Sequence, residues 1–427
     1  MRLRKVNVEM RNSSRSLRLK QAVIASFYEP APSVRARLGE FTPRDWQRGK
    51  FWLDVSGLAI YFLDRLKVLG LEDCIPPLLL NQLRRDFADN CERTASLFDD
   101  TVSLARVLQR HSLTFAFLKG ITLPQESVPD CALRNQMDID LLIRESDAFT
   151  TQECLVDLGY VLDAISGMTW EFKAGTSGTS SLKNLYKIRS ERAVEVHLLS
   201  YAGSAAKPPQ GDRLARAQSR SIRGVVLPGL SPPDLFVQQA LHLFKHMCGE
   251  HTRLSWVLEY WRHICARRND TRFWSEVELI AAGEPQSAIA IGAATLLSSL
   301  VFGPFAPEAL SRWSMDRVSP AICLWIQMYG RHVLFSDSPC KLYLLLRQQL
   351  GSDSVAEQTA RRRLIFPIHW PKRITRAEAN EQVTSRFRRY AAEGRFFMHR
   401  MRFHAIEGAR LAFESLRWQR RLTGVTQ

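Results

Sequence analysis

Met137-Asp138-Ile139-Asp140-Leu141-Leu142-Ile143 is the stretch on which the reading of the fold turns. It is short and apolar with acidic residues at alternate positions, a pattern of period two that specifies a strand rather than a helix. Positions i and i+2 of a strand face the same way, so Asp138 and Asp140 project together while Ile139, Leu141 and Ile143 face a core. Like charges held that close repel and raise one another's pKa unless a cation lies between them. A divalent metal is the obvious cation, because Mg²⁺ prefers carboxylate oxygens and completes its shell with water and substrate phosphates. The plainer account of the same pattern is an edge strand with a solvated acidic face.

Upstream, Thr114-Phe115-Ala116-Phe117-Leu118 reads as another short strand, stopping at the tight turn Lys119-Gly120. Gly120 permits close backbone approach. A helix starting near Thr122 would offer free N–H groups to phosphate oxygens, with Lys119 or Arg134 countering their charge. The Walker A pattern Gly-x-x-x-x-Gly-Lys-Ser/Thr is absent. Downstream, Ser146 is the expected N-cap of a helix that carries Phe149, Leu155 and Leu158 and closes at Gly159. Tyr160-Val161-Leu162 resumes the strand pattern, a Gly/Ser/Thr-rich loop spans Gly175 to Ser181, and Ala193-Val194-Glu195-Val196-His197-Leu198 alternates again. Glu195 shares its face with His197 and supplies a third carboxylate, as a metal ligand or as the base for an attacking hydroxyl. His197 reads as a hydrogen-bond partner of the acidic group rather than a ligand.

These strands define an α/β core over 111–200, and helical periodicity surrounds it. The expected order is a basic N-terminal arm with one short helix (1–43), an N-terminal helical region (44–110), the core, a connector (201–233), a helical domain (234–350) and a basic C-terminal helical segment (351–427). The fold class is therefore α+β, a small mixed sheet flanked by helices. With 45% hydrophobic and 24% charged residues over 427 positions, the chain excludes wholesale disorder or a fibre. The net charge of +16 is uneven: residues 1–20 carry +6, residues 361–427 carry +11, and the body between them is near −1. Attraction to nucleic acid, anionic lipid or an acidic partner is thus confined to the ends. Eight dispersed cysteines without Cys-x-x-Cys argue against a zinc module or disulfide framework. No signal-peptide run opens the chain, and the uncharged stretch between Glu284 and Glu308 is too rich in Ser, Thr, Gly and Pro for a membrane span. A cytoplasmic protein is expected.

Leu118-Lys119-Gly120, Leu133-Arg134-x-x-Met137-Asp138-Ile139-Asp140, Leu158-Gly159-Tyr160 and Val194-Glu195-Val196-His197, in this order, resemble the bacterial uncharacterised nucleotidyltransferase family of the polymerase-β-like superfamily. The likeness continues in Leu241-His242-Leu243-Phe244-Lys245-His246 and Arg253-Leu254-Ser255-Trp256-Val257-Leu258-Glu259. The resemblance implies a minimal nucleotidyltransferase core in which Asp138, Asp140 and Glu195 bind two Mg²⁺ (or Mn²⁺) ions, with Gly120 beside the nucleotide phosphates. Two departures stand out. Most of the superfamily has Gly-Ser where this chain has Lys119-Gly120-Ile121, and Glu259 replaces the usual aspartate of the helical signature.

The function expected is metal-dependent transfer of a nucleoside monophosphate from an NTP to an acceptor hydroxyl, with Asp138, Asp140 and Glu195 catalytic and Lys119, Gly120 and Arg134 at the nucleotide. The acceptor is unassigned: small molecule, saccharide or protein. The alternative is a non-catalytic nucleotide-binding or scaffold protein in a polysaccharide or natural-product pathway. His242 and His246 share a helix face but lack the glutamate of a zinc protease motif, and read as packed histidines. Residues 377–422 interleave arginine with aromatic and aliphatic residues, giving a cationic amphipathic helix. A helix packing its aromatic face on the body accounts for that pattern. A peripheral membrane contact through the basic termini and, less favoured, nucleic acid are also compatible with it.

Overall fold

The computed structural model describes residues 2–175, 184–199, 212–351 and 383–424. Most of the loop expected over Gly175–Ser181, the start of the connector and residues 352–382 lie outside the described residues. The chain divides into two compact units, one of Met1–Phe244 with Arg253–Arg317 and one of Lys245–Thr252 with Val318–Gln427.

The first unit opens with α1 (Arg2–Ala25), α2 (Ala31–Leu38), α3 (Pro43–Val55), α4 (Ala59–Leu69) and α5 (Pro77–Arg110). The arm with one short helix is corrected here: α1 runs for 24 residues, because neither Pro nor Gly interrupts the sequence before Pro30. Thr42 and Asp45 cap α3 reciprocally with Pro43 in its first turn, and Gly70 at φ 64° ends α4.

The sheet contains β1 (Phe115–Leu118), β2 (Ile139–Arg144), β3 (Val161–Ser166), β4 (Thr169–Gly175), β5 (Glu191–Leu199), β6 (Gln218–Ile222) and β7 (Val225–Gly229). Its order is β3-β4-β5-β2-β1-β7-β6. β2 pairs antiparallel with β1 and parallel with β5, so the sheet is mixed and the fold is α+β. One face buries Ile139, Leu141, Ile143, Val194 and Val196 against Leu104 and Leu108 of α5 and Leu155 of α6 (Ala148–Asp157). Each such side chain stabilises the fold by about 1.5–3 kcal/mol. The opposite face carries Ala116, Leu118 and Leu142 under Leu214, Leu230 and Leu235, the last from α7 (Pro232–Met247). Within β2 the charged side chains are Asp140 near its N-terminal end and Arg144 at its C-terminal end, and its other four residues are apolar.

Two local expectations change. No helix starts near Thr122; Gly120–Thr122 is a single 3₁₀ turn, and Leu123 is extended (φ −62°, ψ 142°), as the residue before Pro124 is biased to be. Ser146 caps nothing, because Glu145–Asp147 forms a 3₁₀ turn ahead of α6 and the serine hydroxyl bonds Asp147 instead.

The first unit is completed by α8 (Leu254–Ala266), α9 (Thr271–Gly283), α10 (Pro285–Phe302) and α11 (Glu308–Ser314). The uncharged run forms α10, whose Ala290, Ile291, Ala294 and Leu297 are fully buried. Among the described residues no helix is long and apolar enough to cross a membrane. The second unit contains α12 (Pro320–Phe335), α13 (Tyr343–Leu350) and the 41-residue α14 (Val383–Thr423). Within it the Trp325 indole donates to the Leu342 carbonyl at 2.9 Å, and Trp418 of α14 packs on Tyr329 of α12 with ring centroids 6.2 Å apart.

Candidate active site

Register builds the centre. Across the parallel β2–β5 pair Asp140 lies opposite Glu195 and Leu142 opposite His197. The pleat puts Glu195 and His197 on one face, and His197 Nε2 reaches Asp140 Oδ1 at 3.0 Å and lies 3.7 Å from Glu195 Oε2. The same Asp140 oxygen receives Lys119 Nζ at 2.6 Å. On the neighbouring antiparallel strand Thr169 pairs with His197, its hydroxyl 3.3 Å from Nδ1. With Asp140 ionised, Nε2 carries the hydrogen and donates, leaving Nδ1 to accept from Thr169.

Ligand atoms of Asp140, Glu195 and His197 all lie within 4.8 Å of one another, a donor set that could hold a metal ion. Asp138 stands just before β2, half-buried, outside that group of atoms but within its electrostatic reach. Burial first, then repulsion from Asp140 and Glu195, pushes the Asp138 carboxyl up to about 6. Burial would push Asp140 up as well, but the His197 hydrogen bond and the Lys119 charge outweigh it and hold Asp140 down at about 2. The two aspartates therefore differ: one is fixed as an anion, and the other is poised to exchange a proton for another cation.

The turn beside them is strained. Lys119 adopts φ 43°, ψ −165°, a backbone conformation that costs a non-glycine residue about 1–3 kcal/mol. Its ion pair with the 3%-exposed Asp140 offsets that cost. Gly120 follows at φ 55°, a conformation that strains any other residue, and a Cβ there would come within 2.0 Å of the Gln136 amide and have to displace it. Gln136 in turn donates to the Asp138 carbonyl at 2.7 Å and fixes the aspartate's backbone.

The segment leading to Asp138 is tethered from both sides. Asn90 of α5 donates to the carbonyls of Ala132 and Arg134 at 2.6 and 3.2 Å. Glu259 of α8 accepts from Arg134 Nε at 3.2 and 3.3 Å and from the Tyr61 hydroxyl at 2.8 Å, while its carbonyl accepts from Ser127 at 2.8 Å. The glutamate at this position thereby ties residues 127–134 to the helical layer. Further positive charge lies close by. Arg93 of α5 gives Nη1 to the Leu185 carbonyl at 2.5 Å, and its Nη2 is buried with no hydrogen bond to a described residue. A small cavity beside it is lined by Gln136, Met137, Arg189 and Arg192. Burial and the neighbouring Arg189 lower the Arg93 pKa to about 10, and the same cavity is also lined by Asp100, which pairs with Arg192 at 2.9 Å, and by Glu191.

The structure thus brings together Lys119, Asp140, Glu195 and His197, with Gly120 shaping the turn and Asp138 adjacent. Arg134 is drawn to Glu259. Sequence reasoning missed Asn90, Gln136, Thr169 and Arg93. Only Gln136 carried a local signal, its position two residues before Asp138. His242 packs edge-on against Trp256, ring centroids 4.8 Å apart, and Arg253 lies 5.5 Å over the same indole.

No curated protein matches the chain. Solved structures that resemble it in part include the following two. The antibiotic-resistance factor ANT(2'')-Ia is 14% identical, with 44% of this chain and 90% of that one covered at a TM-score of 0.30. An antigenic nucleotidyltransferase-like protein from Paracoccidioides brasiliensis is 14% identical, with 52% and 97% covered at a TM-score of 0.29. The model of a family described as uncharacterised nucleotidyltransferase matches residues 42–303, which include the helical frame, the sheet and every residue of the site. On that match over more than half its length, the chain belongs to the uncharacterised nucleotidyltransferase family.

Proposed function

We propose that the protein transfers a nucleoside monophosphate from an NTP to an acceptor hydroxyl. The carrying observation is the convergence of Asp140, Glu195 and His197 within 4.8 Å at the end of β2, with a proton-poised Asp138 beside them. This donor set fits a divalent cation: oxygen-rich, partly buried, and carrying mutual repulsion that a cation relieves. Asp138, Asp140 and Glu195 would hold Mg²⁺ or Mn²⁺, with His197 holding the Asp140 carboxylate in place. When bound, such ions neutralise phosphate charge and lower the pKa of the attacking hydroxyl.

In this reading the chain's residues align and neutralise. Glu195 receives the acceptor proton as the acceptor oxygen bonds to the α-phosphorus and the bond to the pyrophosphate leaving group breaks. Arg93 and Lys119 place positive charge toward the phosphates, and Gly120 lets the backbone approach them. Arg134 is held by Glu259 and keeps the segment before Asp138 in place. The test is incubation of α-labelled NTPs, Mg²⁺ and cell extract with the protein: label should pass to an extract component with the wild type and not with Asp138→Ala or Asp140→Ala. Equal labelling by the variants overturns the assignment.

A second reading, a nucleotide-binding scaffold without transfer, draws on Lys119, whose ammonium at 2.6 Å already neutralises Asp140. Calorimetry with each of the four NTPs, with and without Mg²⁺, separates the two, since the scaffold binds without metal dependence.

A further inference from the structure

The helix α14 presents two different faces. One is pinned within the second unit: Leu411 and Trp418 are buried, Glu407 accepts from the Lys341 backbone N–H at 3.3 Å, and Glu414 accepts from the Tyr329 hydroxyl at 3.1 Å. The other should be polar if α14 were an ordinary surface helix. It is not. Val383, Phe387, Tyr390, Met398, Met401 and Leu416 are exposed, Phe387 at 71% and Met398 at 65%. At 100° per residue these six positions fall within an arc of about 80°. Val383 to Met401 form an apolar ridge about 27 Å long, and exposed Ala405 and Ala412 carry its line on to Leu416, along a helix about 60 Å long at 1.5 Å per residue.

Beside the ridge, Arg388, Arg395 and Arg402 repeat every seven residues and Arg420 continues the row, all four exposed. The helix as a whole carries ten arginines against three glutamates. An apolar ridge flanked by a cationic row matches the boundary between lipid headgroups and acyl chains, with side chains entering the hydrocarbon and guanidinium groups at the phosphates. A second copy of the helix would set the same arginines against one another. Nucleic acid would engage the arginines and leave the ridge in water.

We propose that this face of α14 docks the protein onto an anionic lipid bilayer, lying in the plane of the surface. The inference is independent of the reading of the active site.

The test is flotation of the full chain with vesicles of phosphatidylcholine alone or with about 30% phosphatidylglycerol. The protein should float with the anionic vesicles and stay behind with the neutral ones, and binding should fall roughly tenfold or more on raising NaCl from about 0.1 to 0.5 M. The triple variant Phe387→Glu, Met398→Glu, Met401→Glu changes only exposed side chains of the ridge and should lower partitioning by about two orders of magnitude. An Arg388→Ala, Arg395→Ala, Arg402→Ala variant should lower it on anionic vesicles alone, which decides the matter if the glutamates disturb folding. Failure to float with anionic vesicles overturns the proposal, as does wild-type flotation by the arginine variant. If the same substitutions instead dissociate a dimer or release nucleic acid while vesicle binding is absent, the face belongs to that partner and not to a membrane.

Discussion

Replacing Asp138 by asparagine should abolish nucleotidyl transfer and, in metal-free buffer, make the protein more stable. The Asp138 carboxyl titrates at about 6 instead of the usual 3.8 because burial and the charges of Asp140 and Glu195 oppose its ionised form. At about 1.4 kcal/mol per pH unit, this difference corresponds to roughly 3 kcal/mol of strain in the ionised state above pH 6. Asp138 is half-buried and shares its repulsion with Asp140, so the gain expected from the neutral amide is about 1–2 kcal/mol. The sign follows from linkage. A carboxyl whose folded pKa is raised takes up a proton on folding between about 4 and 6, so wild-type stability rises as pH falls through that window. The gain should thus be present at pH 8 and absent near pH 4. Urea unfolding of both proteins in EDTA at the two pH values measures the difference, which cancels the titration of groups not coupled to Asp138. A variant less stable than wild type at pH 8, or a difference independent of pH, refutes the electrostatic account of the site.

Three further outcomes follow from the contacts. Gly120→Ala should destabilise by more than about 2 kcal/mol, since its Cβ meets Gln136 at 2.0 Å, whereas Gly70→Ala, with nothing within 4 Å, should cost only about 1 kcal/mol; thermal melts of the two compare them. Glu259→Ala leaves the Arg134 guanidinium buried without its anion and should cost about 3–5 kcal/mol, while Glu259→Met with Arg134→Met should recover much of that loss in a denaturation cycle. His197→Ala removes the Asp140 hydrogen bond, so Mn²⁺ affinity should fall about 10–100-fold and the acid limb of the binding profile should move to higher pH.

Much of the core could be read from residues alone, because a period-two pattern both names a strand and divides its faces. Ile139, Leu141 and Ile143 are buried, and Glu195 and His197 share a face, as alternation requires. The pairing of β2 with β5 is different in kind. Asp140 and Glu195 stand 55 positions apart with α6, β3 and β4 between them among the described residues, and no local pattern states which strands become neighbours. The tethers were illegible for the same reason: Asn90 meets its carbonyl partners across 42 and 44 positions, and Glu259 meets Arg134 across 125. Pro124 fixes the extended conformation of Leu123, and the helix expected near Thr122 does not form.

The most direct measurement is the electron paramagnetic resonance titration of Mn²⁺ into the protein with and without each NTP. The account predicts nucleotide-dependent Mn²⁺ binding by the wild type, weakening as pH falls below about 6 as Asp138 takes up its proton, and its loss in Asp140→Asn and Glu195→Gln. Unchanged Mn²⁺ binding in both variants, or none by the wild type with any of the four nucleotides, contradicts it.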